Sequence, residues 1–327
     1  MPFLYEITEH KKDAHKYVMI TGVEGNASSL AIPCEIEGLP VEAIGNHAFS
    51  GRQDIFSVSL PGSIKTLYGF AFHNCRNLKK ISLHDSIDDY YDGVCRQCDS
   101  LTDIEMEMDR GWYEVVRNFL ADSDRTLRFW LHINPAMHEE HEFATACLTF
   151  PEYVYDFNEN TMARTIQFSI AGSGMFYREC VDRRSIDYRQ YDKLFEKAVI
   201  DGGEIAENIS IGRLLYPVEL SDDARKVYER FVSANSESIL LRLIETADKE
   251  PTNKDIIKRL LEYDKSMPQS KPQSLLPEDK PPLITEESMD KALKLATSKG
   301  FTEVCAILMS ANSGSKSSFS AINAFEL

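Results

Sequence analysis

Between Val41 and Asp109 the apolar positions of the chain recur every 23 residues. Three segments align without gaps: VEAIGNHAFSGRQDIFSVSLPGS from Val41, IKTLYGFAFHNCRNLKKISLHDS from Ile64, and IDDYYDGVCRQCDSLTDIEMEMD from Ile87. Val41, Ile64 and Ile87 form one column; Ile44, Leu67 and Tyr90 form another, and Ala48, Ala71 and Val94 a third. The segments close on Ile55, Leu78, Leu101; Val58, Ile81, Ile104; and Leu60, Leu83, Met106. A strict period of this length predicts a solenoid of short parallel strands. One turn cannot bury its own apolar side, whereas stacked turns share a continuous column. Phe49 and Phe72 are expected to lie buried one above the other. Strand alternation turns Ser57, Ser59, Lys80, Ser82, Asp103 and Glu105 to the opposite side.

After Asp109 the period ends. WYEVVRNFLADS has helical spacing at Trp112, Val115, Val116, Phe119 and Leu120, and a helix there would cap the open end of the stack. TLRFWLHI (126–133), EFATACLTF (142–150), RTIQFSI (164–170) and MFYRECV (175–181) read as strands, with Ala171–Gly174 as a hairpin-type turn between the last two. From Tyr188 the pattern is helical. SESILLRLIETADKE with NKDIIKRLLEY forms one expected helix pair, and TEESMDKALKLATSKG with FTEVCAILMSAN a second. The stretch 266–282 holds five of the thirteen prolines and reads as a linker. Five serines fall in the last fifteen residues, 313–327, which read as a flexible tail.

The pairs Ala48-Phe49 and Ala71-Phe72, the following Cys75 and Cys98, and the Leu-x-x-Ile-x-Leu ends resemble the BspA-like leucine-rich repeat family. YVMITGVEGNASSLAIPCEIEGLPVEAIG is similar to the hairpin that leads into such domains, so the resemblance covers about residues 15–109. It implies binding and adhesion rather than catalysis. Two departures stand out: Arg52 occupies the cysteine column, and Val94-Cys95 replaces Ala-Phe in a degenerate third turn. ALKLATSKGFTEVCAILMS is similar to an ankyrin-type helix pair, although the Thr-Pro-Leu-His signature is missing. The expected fold is α+β: a repeat domain over 1–109, a mixed α/β region over 110–185, and a helical domain over 186–312 that contains the linker.

The chain of 327 residues carries a formal charge of −16, which argues against nucleic acid or an anionic membrane surface as a partner. The lack of a long apolar run or a secretory leader in this sequence argues for the cytoplasm, with the cell surface as the alternative if a leader has been removed. An odd set of seven cysteines points to reduced thiols. Residues 1–109 have 17 acids and 9 bases. Nine of these acids lie between Asp85 and Asp109 against Arg96 alone, so the deficit sits in the third turn. That surface is either a solvated face, a weak calcium site, or a steering surface for a basic partner.

Few residues carry a chemical motif. Cys95-x-x-Cys98 lacks a second pair for zinc, and the repeat column gives Cys98 a packing role. His138-Glu-Glu-His141 lacks the i, i+4 spacing of a zinc protease. Gly172-Ser-Gly174 with Arg178 and Cys180 is the best catalytic lookalike: an anion cradle beside a nucleophile. The leading expectation is a non-catalytic protein-interaction module without cofactor or metal, which meets a protein partner through Lys80, Asp103, Glu105 and Glu107. The alternatives are an enzyme with its site in residues 110–220 using Arg178 and Cys180, and a purely structural subunit.

Overall fold

The computed structural model describes residues 2–10, 14–135, 145–160, 165–250, 252–266 and 282–312. It divides into two compact units, Met1–Ala224 and Arg225–Leu327. The expected linker 266–282, apart from its two ends, and the expected tail 313–327 lie outside the described residues.

The first unit opens with β1 (Phe3–Glu9), β2 (Lys16–Val23), β3 (Ser29–Ala31), β4 (Glu35–Ile36) and β5 (Leu39–Ile44). The repeats contribute β6 (Ser57–Ser59), β7 (Thr66–Leu67), β8 (Lys80–His84), β9 (Asp89–Tyr90) and β10 (Asp103–Met108). These strands wind into two sheets. One has the order β1-β2-β5-β7-β9, with β4 folded back on β5 as a hairpin. The other runs β3-β6-β8-β10 and continues into β11 (Leu127–Ile133) and β12 (Thr145–Phe150). Pairing between successive turns is parallel, with Ala43 on Thr66 and Thr66 on Asp89 in the first sheet, and Ser57 on Lys80 and Lys80 on Asp103 in the second. The solenoid of stacked strands is therefore present.

The repeat columns are the core. Val41, Ile44, Leu67, Ile55, Leu78, Val58, Ile81, Leu83, Ile104 and Met106 are all buried, and the Phe49 and Phe72 rings stack at 5.3 Å with an angle of 8°. Between the sheets, backbone bonds tie each turn to the next: Phe49 N–H donates to Ala71 O and Phe72 N–H to Val94 O. The cysteine column does the same work with thiols. Cys75 Sγ donates to Phe49 O and Cys98 Sγ to Phe72 O, each at 3.1 Å. In the first turn Arg52 reaches further, to Val23 O and Gly25 O, while holding Asp54, which accepts from Ala27 N–H. The departure at Arg52 thus fastens the leading hairpin to the stack.

The tight turns need left-handed backbone at the same place each time: His47 (φ 55°), Phe70 (φ 58°) and Gly93 (φ 69°). At the third of these a Cβ would lie 2.7 Å from the Phe70 ring, which explains why the aromatic column ends in glycine. Helix α1 (Glu114–Asp122) closes that end of the first sheet. Its Asp122 accepts from Tyr90 Oη, Gly93 N–H and Cys95 N–H. Asp85, buried, accepts from the backbone N–H groups of Asp109, Arg110 and Trp112 and so ends the third turn.

Beyond β12 the chain forms a separate ribbon of β13 (Val154–Asn160) and β14 (Thr165–Ala171). The expected strand MFYRECV is instead helix α2 (Gly174–Arg178), so the hairpin lies one element earlier than expected. At Gly174 the backbone lies so close to the carbonyl oxygens of Pro151 and Glu152 that a Cβ would strike them. The glycines allow backbone to approach backbone rather than a strand reversal. Helices α3 (Tyr188–Lys193), α4 (Phe195–Asp201) and α5 (Gly203–Leu215) follow. Gly212 of α5 packs on the Cys147 carbonyl of β12, and buried Arg213 pairs with Asp192 at 2.8 Å and donates to Val218 O.

The second unit is helical: most of α6 (Asp222–Ala234), then α7 (Ser236–Glu245), α8 (Thr252–Ser266), α9 (Glu286–Ser298) and α10 (Thr302–Asn312). Helices α7 and α9, α9 and α10, α8 and α10, and α7 and α8 pack together. Ile239, Leu240, Ile257, Leu260, Ala292, Ala296 and Val304 are buried among them. Together the two units make an α+β protein with an N-terminal leucine-rich-repeat solenoid.

Candidate functional site

The outward face of the second sheet collects the polar positions of the repeats. Because the strands pair in register, side chains of the same parity line up in rows. One row runs Ser29, Ser57, Lys80, Asp103, Arg128; the next runs Ala31, Ser59, Ser82, Glu105, Trp130; the third runs His84, Glu107, His132. The residues between them, Val58, Ile81, Ile104 and Phe129, are buried, so the alternation expected from the sequence holds.

These outward side chains are bound to one another. Glu105 is the hub: Lys80 Nζ lies 2.8 Å from Oε2, Ser82 Oγ donates to the same oxygen at 2.8 Å, and His132 Nε2 lies 3.2 Å from Oε1. Partial burial pushes the Glu105 carboxyl up, but the bonds from Lys80, Ser82 and His132 outweigh it and hold the pKa at about 2. Asp103 accepts from Arg128 Nε at 2.7 Å and from Trp130 Nε1 at 3.0 Å. The Arg128 guanidinium lies 5.4 Å from the Trp130 ring centre, and Trp130 meets Tyr216 edge to face. Glu107 is exposed. Lys80 and Glu105 therefore belong to one network, Asp103 to a neighbouring cluster with Arg128 and Trp130, and Glu107 lies beside them.

The 23-residue period does not reach Arg128, Trp130 and His132. Only the pairing of their strand with β10 brings them to this face. The alternation in TLRFWLHI was the available signal.

The acidic third turn is not one patch. Asp85 is buried, and Asp103 and Glu105 are partnered. The exposed acids divide: Asp88, Asp89 and Asp92 lie at or beside β9 in the first sheet, Asp99 lies in the turn between the sheets, and Glu107 and Asp109 lie at β10 in the second.

The catalytic lookalike has its chemistry occupied. The Arg178 guanidinium donates to five carbonyl oxygens, those of Leu120, Pro151, Gly174, Ser123 and Arg125, and lies over the Tyr153 ring at 4.8 Å. Burial drives the Cys180 thiol up to about 12, and Sγ lies 3.6 Å from Phe176 O. A thiol in that state is not an activated nucleophile. Burial likewise raises Cys95, whose hydrogen bond to Cys98 lowers the latter. His138 and His141 lie outside the described residues. Among the described residues no group of three or more His, Cys, Asp or Glu could hold a metal ion, and no helix is long and apolar enough to cross a membrane.

A two-sheeted stack of 23-residue turns makes this part of the chain a leucine-rich-repeat region. Residues 27–112 match the family described as "BspA type Leucine rich repeat region (6 copies)". Among solved structures, the chain is similar to a leucine-rich cell surface protein from Faecalibacterium prausnitzii. The match is 22% identical, covers 32% of this chain and 31% of that one, and has a TM-score of 0.26. It is also similar to the Treponema pallidum leucine-rich repeat protein, at 21% identity over 32% of this chain and 68% of that one, with a TM-score of 0.23. A leucine-rich repeat protein from Bacteroides capillosus is 17% identical over 31% and 93% of the two chains, also at 0.23. The chain thus spans under a third of the length of the Faecalibacterium protein. No curated protein matches it.

Proposed function

We propose that the chain is a non-catalytic protein-interaction module that meets its partner through the outward face of the second sheet. The observation that carries this reading is the Glu105 network. Lys80 and Ser82 of β8 and His132 of β11 are held on one carboxylate of β10, so little side-chain freedom remains to be lost when a partner docks. Arg128 and Trp130, themselves largely buried against Asp103 and Tyr216, brace this face beneath its exposed groups. The exposed carboxylates of Glu107 and Asp109 favour a basic partner.

The test is affinity capture by the immobilised full chain, followed by binding measurements with the recovered protein across a salt series. Glu107→Lys and Asp109→Lys should each weaken binding at unchanged melting temperature, and raised salt should slow association. Unchanged binding in both variants sinks the assignment to this face. The second reading, an enzyme using Arg178 and Cys180, receives no support from the contacts those residues make.

A further inference from the structure

We propose that β14 pairs antiparallel with β14 of a second copy of this chain, which joins two ribbons into one four-stranded sheet. The argument begins with how this protein treats its strand edges. An open edge invites pairing with another chain unless it is short, charged or covered. Edge strand β1 carries Glu6 and Glu9. The edge strands β3 and β9 are three and two residues long. The edge of β12 is covered at Thr149, whose backbone N–H and C=O both bond Tyr191 Oη. Among the described residues strand β14 has none of these protections. It is seven residues long, TIQFSIA, without a charge or a proline, and among the described residues it pairs only with β13.

Its sequence is also its own complement. A twofold axis normal to the sheet keeps both copies of a strand on the same face, so residue numbers in each pair must sum to an even value. The register that uses all seven residues sets Phe168 against Phe168 of the second copy, Ile166 against its Ile170, Gln167 against its Ser169, and Thr165 against its Ala171. Apolar residues oppose apolar ones at Phe168 and at Ile166 with Ile170, polar ones oppose at Gln167 with Ser169, and Thr165 with Ala171 sets two small residues together at the ends. Strand β13 is a poorer choice, because its own central register would set Tyr155 against Glu159.

The surroundings favour the same occupant. A lone two-stranded ribbon is marginal in water, whereas four strands with an apolar face are stable. At the ribbon's base Val154, Tyr155 and Ile170 are 60, 54 and 40% exposed. The Ser173 N–H bond to Asp201 brings the end of α4 alongside, where Ile200 is 84% exposed. Closed twofold pairing is the commonest form of self-association and satisfies both edges at once.

The experiment is sedimentation equilibrium on the full chain over about 1 to 100 µM, with thermal melts of each variant. A dimer is expected. Ile170→Lys, or Ser169→Lys should the first variant fail to fold, should raise its dissociation constant about tenfold or more. In a Cys34→Ser background Phe168→Cys should form an intermolecular disulfide under mild oxidation that the background chain does not, because a self-paired position places the two thiols within reach. A single-copy mass at every concentration overturns the proposal. So does a dimer indifferent to both lysines, or one in which Phe168→Cys fails to cross-link.

Discussion

The phenol of Tyr191 closes the free edge of the second sheet: it donates to the Thr149 carbonyl at 2.6 Å and accepts the Thr149 N–H at 3.0 Å. One hydroxyl 42 residues away thus satisfies both backbone groups that a further strand would otherwise take. Tyr191→Phe removes only that oxygen and leaves a buried donor and a buried acceptor unpaired. The expected cost is about 2–4 kcal/mol in urea melts, since each orphaned group costs about 1–3. A loss under about 0.5 kcal/mol would mean that water takes over the edge.

The stacked rings of Phe49 and Phe72 give the repeat columns their sharpest test. Phe72 is fully buried and has a neighbour in the turn before it. Phe72→Ala should cost roughly 3–5 kcal/mol, as deep aromatic truncations do. A change below about 1 kcal/mol would contradict the stack.

What the period could and could not reveal follows from these contacts. Val41, Ile64 and Ile87 are legible because the same chemical demand recurs at the same interval, and all three are buried. Even the exceptions repeat a need: Arg52 ties carbonyls as Cys75 and Cys98 do, and Gly93 takes the left-handed backbone of His47 and Phe70. Arg128 and Trp130 were hidden because their place depends on strand pairing across 25 residues, with no repeat to announce it. Gly172 and Gly174 misled for a related reason. A glycine reads alike whether it reverses a strand or admits a distant carbonyl.

Acid should probe the Glu105 network with a definite sign. Its carboxyl is depressed to about 2 when folded, against about 4.3 in an open chain. Its contribution is therefore complete above the unfolded value and is lost as pH falls through the folded one. Melting temperature should drop between about pH 4.3 and 2, and Glu105→Gln should flatten that part of the profile. A variant that melts in parallel with the parent across this window would show that the network adds no stability.

Thiol labelling separates the cysteines by burial. Cys34 is exposed and should react first in the folded chain. Cys75, Cys147 and Cys180, each raised to about 12 by burial, should stay silent until denaturant is added. Fast labelling of Cys180 at neutral pH would revive the nucleophile reading.

Arg178 tests the same reading from the other side. An arginine kept to bind an anion is expendable for the fold, and its replacement by lysine leaves stability nearly unchanged while a ligand is lost. Here the guanidinium spans Leu120, Ser123, Arg125, Pro151 and Gly174, five carbonyls from three stretches of chain. A lysine has one nitrogen and no fork, so it cannot reach them together. Burial lowers Arg178 to about 10, so its charge depends on what surrounds it inside the protein. Arg178→Lys should therefore cost about 2–4 kcal/mol in urea melts, close to Arg178→Ala, because several carbonyls lose their donor in both. If lysine restores most of the stability that alanine removes, charge alone suffices at this position. The carbonyl clamp would then be the wrong account of Arg178, and an anion site there would have to be reconsidered.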